Sequence, residues 1–171
     1  MSEPRIKEAT APRARSGRRK KLWRDVLTRR RRFASLVPFD VLERIELVKT
    51  GVPAGVLTVI ADDMAISRDQ LYAMIGLARA TANRKLREQQ VLNQDESERV
   101  VGIARLIHQV DTIVRESGNA ERFDGAKWVA RWLDRPHPAL DGRRPAELMD
   151  TADGRSLVSD LVGQMQSAAY A

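Results

Sequence analysis

A short segment near the middle of the chain is rich in side chains that donate hydrogen bonds to nucleic acids. Arginine pairs bidentately with guanine, asparagine pairs with adenine, and threonine meets a base or its methyl group. Residues of these types, with one lysine, follow a tight turn at Gly76 and Leu77: Arg79, Thr81, Asn83, Arg84, Lys85 and Arg87. Between them, Ala80, Ala82 and Leu86 are predicted to form the inner side of a helix. The side chains of this predicted helix are therefore of the types that recognise DNA bases.

The residues before this helix supply the rest of a helix-turn-helix motif, predicted at residues 66–88. Ser67 followed by Gln70 is a capping box, which begins a short helix that Gly76 ends. In this motif the first helix crosses the DNA backbone and the second lies in the major groove. Ser67 and Arg68 complete the predicted DNA-binding set. An ordinary helical hairpin with a solvated basic face is the alternative that these residues leave open.

Two amphipathic helices are predicted before the motif. Asp40 caps the first, which ends at Gly51, and Pro53 lies in the first turn of the second. The predicted inner residues of the first helix are Val41, Leu42, Ile45 and Val48. Those of the second are Val56, Leu57, Ile60, Ala61 and Met64.

A long helix is predicted after the motif. Asn93 and Glu96 form a second capping box, and the helix continues to about Ser117. Its apolar stripe is wider than one core face requires: Val100, Val101, Ile103, Ala104, Ile107, Val110, Ile113 and Val114. This width has two explanations, which the sequence leaves open. The helix either meets a partner, such as a second copy, or spans the middle of a single core.

Composition restricts the class of protein. The 171 residues suffice for one core with an appended module, and 43% hydrophobic with only 5% aromatic residues favours helices over strands. The absence of cysteine excludes disulfides and thiolate sites. His108 and His137 have no ligand partner at helical spacing, and no nucleophile elbow or phosphate-binding glycine loop is present. We therefore expect a binding protein without cofactor or metal, located in the cytoplasm because no membrane span or signal peptide is predicted.

Positive charge is concentrated at the N-terminus. Residues 1–32 contain 13 Lys or Arg against 3 acidic residues, whereas the whole chain has a net charge of +7. Such an arm attracts a polyanion through counterion release. A solvated tail without a fixed role is the alternative. Leu22, Trp23, Val26, Leu27 and Phe33 lie at nearly helical spacing within it, which is compatible with a basic amphipathic helix.

The C-terminal third is predicted to contain an aromatic helix, a stiff loop and a last helix. The aromatic helix carries Phe123, Ala126, Trp128, Val129, Trp132 and Leu133. The loop runs through Pro138-Ala139-Leu140-Asp141-Gly142-Arg143-Arg144-Pro145-Ala146-Glu147-Leu148, with a short helix beginning at Pro145. Thr151 or Asp153 caps the last helix, whose predicted inner residues are Leu157, Val158, Leu161, Val162 and Met165. Tyr170 lies beside the C-terminal end.

Taken together, the helix-turn-helix, the aromatic helix, the loop and the tyrosine-bearing end resemble the Xre/MbcA/ParS family of antitoxins. The likeness covers about residues 38–171 and is strongest in the C-terminal third. Members of that family are partners of RES-domain toxins, enzymes that deplete cellular NAD. The resemblance implies a homodimer within a larger toxin–antitoxin complex, which binds the operator of its own promoter and places its C-terminal end near the toxin's active site.

The resemblance also implies a set of toxin-binding residues. Tyr170 and Ala171 would form a plug, with tryptophans and arginines framing the surface behind it. The full predicted set is Trp128, Arg131, Trp132, Arg143, Arg144, Gln164, Tyr170 and Ala171.

Two positions depart from the usual helix-turn-helix pattern. In many such proteins a first-helix alanine packs beneath a larger aliphatic residue of the second helix, whereas here the two positions are Tyr72 and Ala82. We interpret this exchange as compensation, because a large-for-small exchange across one contact can conserve core volume. Ala78 replaces the Ser or Thr expected to cap the second helix.

The sequence thus predicts an all-α protein with a helix-turn-helix DNA-binding domain followed by a small helical toxin-binding domain. The predicted divisions are a basic, partly disordered arm at 1–37, a helix-turn-helix and dimerisation domain at 38–117, and a toxin-binding domain at 118–171. The predicted function is that of an antitoxin in a type II system that also represses its own operon, with no enzymatic activity. Two alternatives remain: a stand-alone transcriptional regulator whose C-terminal module dimerises or senses a ligand, and an adaptor that uses the arm to bind RNA or membranes.

Overall fold

The computed structural model describes Trp23, residues 40–118 and residues 123–169. Seven α-helices follow one another in residues 40–118 and 123–169: α1 Val41–Thr50, α2 Val56–Met64, α3 Arg68–Met74, α4 Arg79–Arg87, α5 Gln94–Glu116, α6 Gly125–Leu133 and α7 Ala152–Ala169. Two 3₁₀ turns, η1 Pro138–Leu140 and η2 Pro145–Leu148, connect the last two helices. The all-α prediction is confirmed. The predictions for the basic arm, apart from Trp23, and for Tyr170 and Ala171 lie outside the described residues.

Local signals in the sequence set the helix starts. Asp40 caps α1, because its Oδ1 accepts a hydrogen bond from the Leu42 N–H at 3.0 Å. The Asn93 and Glu96 capping box forms at the start of α5, as predicted. Thr151 rather than Asp153 caps α7, because its Oγ1 accepts from the Gly154 N–H at 3.0 Å.

The helix-turn-helix geometry forms where the sequence places it. Both hydrogen bonds of the Ser67 and Gln70 capping box are present at the start of α3. Gly76 has a φ of +64°, and the following Leu77 N–H donates back to the Tyr72 carbonyl at 2.8 Å. These two features end α3 and turn the chain into α4. Ala78 makes no side-chain cap, as predicted.

The long helix α5 lies in the middle of the core. It packs against α1, α6 and α7, while α6 also packs against α2. The stripe residues from Val100 to Val110 are buried in these contacts. The width of the stripe is therefore explained within one chain. This favours the interpretation that the helix spans the middle of a single core over the interpretation that it meets a partner.

A short pairing between two loops closes the bundle around α2, α3 and α4. The Leu92 N–H donates to the Val52 carbonyl at 2.8 Å, and Pro53 and Val91 form an isolated bridge. The buried Ser97 hydroxyl accepts from the Val52 N–H at 3.0 Å. The start of α5 is thereby fixed to the loop before α2.

Two predicted helix faces are wrong in part. Val41, Leu42 and Ile45 are exposed, because α1 turns Leu47 into the core instead. Leu157 and Met165 of α7 are also exposed, whereas the other three predicted inner residues are buried: Val158, Leu161 and Val162. Apolar spacing shows which helix faces are able to be buried, but the neighbouring helices decide which one is.

Among the described residues, no helix combines the length and apolar character that crossing a membrane requires.

Candidate functional site

One side of α4 is exposed and positively charged. Arg79, Arg84 and Arg87 are exposed, and α4 itself contains no acidic residue. Ala80 lies exposed beside them, so its prediction as an inner residue is wrong. The helix packs through the buried Ala82. Ala80 lies two positions before Ala82 and therefore points to nearly the opposite side of the helix. Ala80, Arg84 and Arg87 are spaced as on one face of a helix and form one exposed stripe. This spacing is visible in the sequence and could have predicted the exposed position of Ala80.

Several of the exposed arginines make surface ion pairs. Arg79 pairs with Asp69 of α3 at 3.0 Å, with 72% of the Arg79 side chain exposed. Arg84 pairs with Glu88 at 3.3 Å, with 49% of the Arg84 side chain exposed. Exposed pairs of this kind contribute only about 0–1 kcal/mol, so both arginines are free to exchange these carboxylates for a phosphate or a base. Neither Arg68 nor Arg87, both exposed, makes an ion pair within the described residues.

Three residues of the predicted DNA-binding set are less accessible. Lys85 pairs with Glu96 of α5, and each of these side chains is only 12% exposed. Asn83 is half-buried, and its Oδ1 accepts a hydrogen bond from the Tyr72 hydroxyl at 3.2 Å. Thr81 is half-buried as well. These three side chains lie on the flank of α4 rather than on its exposed stripe.

Tyr72 joins the two helices of the motif. It is only 1% exposed and lies in the same core as Ala82, as the exchange of sizes between these positions predicts. Burial raises the pKa of the Tyr72 hydroxyl, and the nearby Arg68 charge opposes this increase. The hydroxyl therefore remains protonated at neutral pH and donates to Asn83.

The second cluster of predicted residues is an aromatic stack on α6. Trp128 and Trp132 lie one turn apart with ring centroids 5.7 Å apart and planes at 11°. His137 meets the Trp132 ring edge-on, with centroids 5.8 Å apart. The His137 Nδ1 accepts a hydrogen bond from the Ala139 N–H at 3.2 Å, so this histidine is structural. Trp128 is half-buried and Trp132 is 9% exposed.

The loop after α6 is closed by its own backbone. The His137 N–H donates to the Arg143 carbonyl at 3.0 Å, and the Gly142 N–H donates to the His137 carbonyl at 3.2 Å. Asp141 and Gly142 both have positive φ, 53° and 78°, which produces the sharp reversal. The loop thus holds Arg143 and Arg144 exposed, with Arg144 paired to Asp134 at 3.0 Å.

The remaining predicted toxin-binding residues are separate from the stack. Arg131 is exposed on α6 and Gln164 is exposed on α7. Tyr170 and Ala171 lie outside the described residues.

Comparisons with known proteins match both parts of the chain. Residues 43–105 match the Antitoxin Xre-like helix-turn-helix domain, and residues 120–167 match the Antitoxin Xre/MbcA/ParS C-terminal toxin-binding domain. A protein of Sphingobium sp. (strain YBL2) named Prs ADP-ribosylating antitoxin is 37% identical over 139 residues, which is 81% of this chain and 87% of that protein. The chain belongs to the Xre/MbcA/ParS family of antitoxins.

Helix α5 connects the two matched segments of this antitoxin. The helix-turn-helix match ends within α5, and the toxin-binding match begins after it, just before α6. Since α5 packs against α1, α6 and α7, the exposed stripe of α4 and the aromatic stack of α6 are held by one core.

Proposed function

We propose that this antitoxin neutralises a RES-domain toxin with its C-terminal domain and represses its own operon with its helix-turn-helix. The observation that carries the proposal is the match to an antitoxin relative over 81% of the chain, across both domains. Homodimerisation on a two-fold symmetric operator completes the proposal, because helix-turn-helix dimers bind two half-sites one turn of DNA apart. Operator and toxin would both be met in the cytoplasm.

The surface of α6 and its following loop supports the proposed toxin contact. Tryptophan and arginine contribute most of the binding energy in many interfaces. Trp128 offers a half-buried ring supported from behind by Trp132, and Arg131 and Arg143 are exposed nearby in sequence. The rigid loop would present Arg143 without a large entropy loss on binding.

The tail is proposed to insert into the toxin. Tyr170 and Ala171 follow directly after the end of α7, and tyrosine combines an apolar ring with a polar tip. Removal of Tyr170 and Ala171 should weaken toxin neutralisation and leave DNA binding unchanged. Equal relief of toxicity by the truncated chain would refute the insertion.

Co-expression with the neighbouring gene tests the antitoxin activity. A growth-arresting neighbour should be rescued by the full chain and less well by the Trp128→Ala variant. Arg105→Ala is the matched control, because Arg105 is exposed on α5 outside the proposed surface. A toxic neighbour that the full chain does not rescue would contradict the proposal, and a regulatory phenotype without any toxic neighbour would favour a stand-alone regulator.

The name of the Sphingobium relative favours a second version of the toxin's chemistry. That name refers to ADP-ribosylation, a reaction that consumes NAD by transferring ADP-ribose to an acceptor. In the first version, the toxin only depletes NAD, so its expression lowers cellular NAD and no ADP-ribosylated protein is formed. In the second, mass spectrometry detects an ADP-ribosylated protein whose formation this antitoxin prevents. Measuring the NAD concentration and the ADP-ribosylated protein in the same cells separates the two versions.

Base reading is proposed for Arg84 and Asn83, and phosphate contact for Arg68. Arg84→Ala or Asn83→Ala should relax base preference at one operator position by about 1–3 kcal/mol. Arg68→Ala should instead weaken operator and unrelated DNA by similar factors, because phosphates carry no sequence information. Binding to a library of operator variants measures both effects. Unchanged selectivity in both α4 variants would place the reading helix elsewhere.

A further inference from the structure

The turn between α3 and α4 is contacted by residues from outside the helix-turn-helix. A Cβ atom built on Gly76 would lie 2.6 Å from the Cβ of Asp150 and 2.7 Å from Nη1 of Arg99. Glycine is therefore favoured here for two reasons, the positive φ of +64° and the close approach of these neighbours. Asp150 belongs to the segment between η2 and α7, in the C-terminal domain.

Arg99 of α5 holds the backbone of this turn. Its Nη1 donates to the Gly76 carbonyl at 2.7 Å and lies 3.4 Å from the Ile75 carbonyl. Its Nη2 pairs with Asp95 at 2.8 Å. The last carbonyls of a helix lack intrahelical partners and carry partial negative charge, so a guanidinium placed there both satisfies and stabilises the end of α3.

The residue before Asp150 is held in place by the C-terminal domain. Arg155 of α7 donates from Nη1 to the carbonyl of the buried Met149 at 3.2 Å and from Nη2 to Glu98 at 3.4 Å. The Arg155 side chain is only 13% exposed, and it packs so closely on Gly102 that a Cβ there would lie 2.5 Å from its Cδ. The backbone directly before Asp150 is therefore tied through Arg155 to both α5 and α7.

We propose that Arg99 and Asp150 are positioning residues for α4, so that the C-terminal domain forms part of the DNA-reading unit. Neither residue contacts DNA in this scheme. They fix the turn at Gly76, and the turn sets the angle at which α4 leaves α3. The proposal rests on the proposed DNA reading by α4, and it adds that the fold of the toxin-binding domain determines how well operator DNA is read.

The first test compares Gly76→Ala with Gly118→Ala. Both glycines have positive φ, +64° and +78°, but no atom of the described residues lies within 4 Å of a Cβ built on Gly118. The two substitutions therefore cause similar backbone strain, and only the first disturbs the contact with Asp150. Gly76→Ala should weaken operator binding by about three- to thirtyfold relative to Gly118→Ala. The Gly76→Ala and Asp150→Gly double variant should regain part of this loss, because the closest contact of the new Cβ, with the Asp150 Cβ, is removed.

The second test compares Arg99→Met with Arg105→Met, a change of an exposed arginine on the same helix. Amide hydrogen exchange of the free, full-length protein should increase across residues 76–87 in Arg99→Met alone, with partial rescue in Arg99→Lys. Rescue of cells from the toxin should be unchanged in Arg99→Met. The exchange measurement requires no DNA, so it decides the positioning role even if the wild-type chain binds no operator.

Two results would overturn the proposal. One is unchanged exchange across residues 76–87 in both Gly76→Ala and Arg99→Met. The other is a general loss, in which exchange rises equally in α5 and α6 and toxin rescue falls together with DNA binding. That pattern would show only a contribution to overall stability. Failure of the wild type to bind operator DNA, with altered exchange in the variants, would contradict the proposed function and leave the positioning role supported.

Discussion

Tyr72 and Asn83 form a hydrogen bond between the two helices of the helix-turn-helix motif. Tyr72 lies in α3 and is almost fully buried, and its hydroxyl donates to the half-buried Asn83 amide oxygen of α4 at 3.2 Å. With this oxygen engaged, Asn83 keeps its NH₂ group for other partners. A bidentate contact with adenine uses the amide oxygen as well, and the second lone pair of this oxygen accepts the adenine amino group while the Tyr72 bond is kept.

Removal of this hydroxyl tests its contribution to stability. Tyr72→Phe should lower the free energy of unfolding by about 0.5–1.5 kcal/mol, because the Asn83 oxygen loses its donor. Urea denaturation at neutral pH measures the change. Adding Asn83→Ala to this variant should cost less than Asn83→Ala does in the wild type. Strictly additive losses would show that the hydrogen bond contributes nothing.

The raised pKa of Tyr72 also predicts a dependence on alkaline pH. The folded protein holds this proton more tightly than the unfolded chain, in which the pKa of tyrosine is about 10. The stabilisation is therefore complete below this value and is lost as pH rises through the higher pKa of the folded state. The melting temperature of the wild type should fall more steeply above about pH 10 than that of Tyr72→Phe. Parallel curves would contradict this assignment.

At the scale of the helix, local signals predicted where elements begin and end better than which side they expose. Ser67 with Gln70 and Asn93 with Glu96 mark the starts of α3 and α5, because capping depends only on residues a few positions apart. The burial of Lys85 depends on how α4 packs against α5. No local pattern contains that information.

The capping box of α5 carries a second interaction that the box of α3 lacks. Glu96 accepts the Asn93 N–H at 2.7 Å and also pairs with the largely buried Lys85. Gln70, the equivalent residue of α3, is exposed. Glu96→Ala should therefore cost about 1–3 kcal/mol more than Gln70→Ala, because Lys85 is left without its charge partner. Chemical denaturation of both variants measures the difference, and equal costs would mean that the ion pair does not stabilise the fold.

At the scale of the whole molecule, one hydrophobic core spans both matched domains. The predicted boundary between residues 117 and 118 follows the end of α5, yet α6 packs against α2 as well as α5. The C-terminal domain therefore covers part of the surface that supports the helix-turn-helix. This contact was not predictable from the sequence. Gly118 and the change in composition after it indicate a domain boundary, but they do not indicate how the helices on either side pack together.

A continuous core predicts that the two domains unfold together. Leu133 of α6 is 0% exposed, so Leu133→Ala should lower the free energy of unfolding by about 2–5 kcal/mol. Leu157→Ala is the matched control, because Leu157 is 45% exposed on α7 and its truncation should cost less than about 1 kcal/mol. In Leu133→Ala, tryptophan fluorescence and hydrogen exchange in α3 and α4 should report the same loss. If fluorescence shifts while α3 and α4 keep their protection, the domains are independent, and the coupling proposed through Gly76 loses its physical basis.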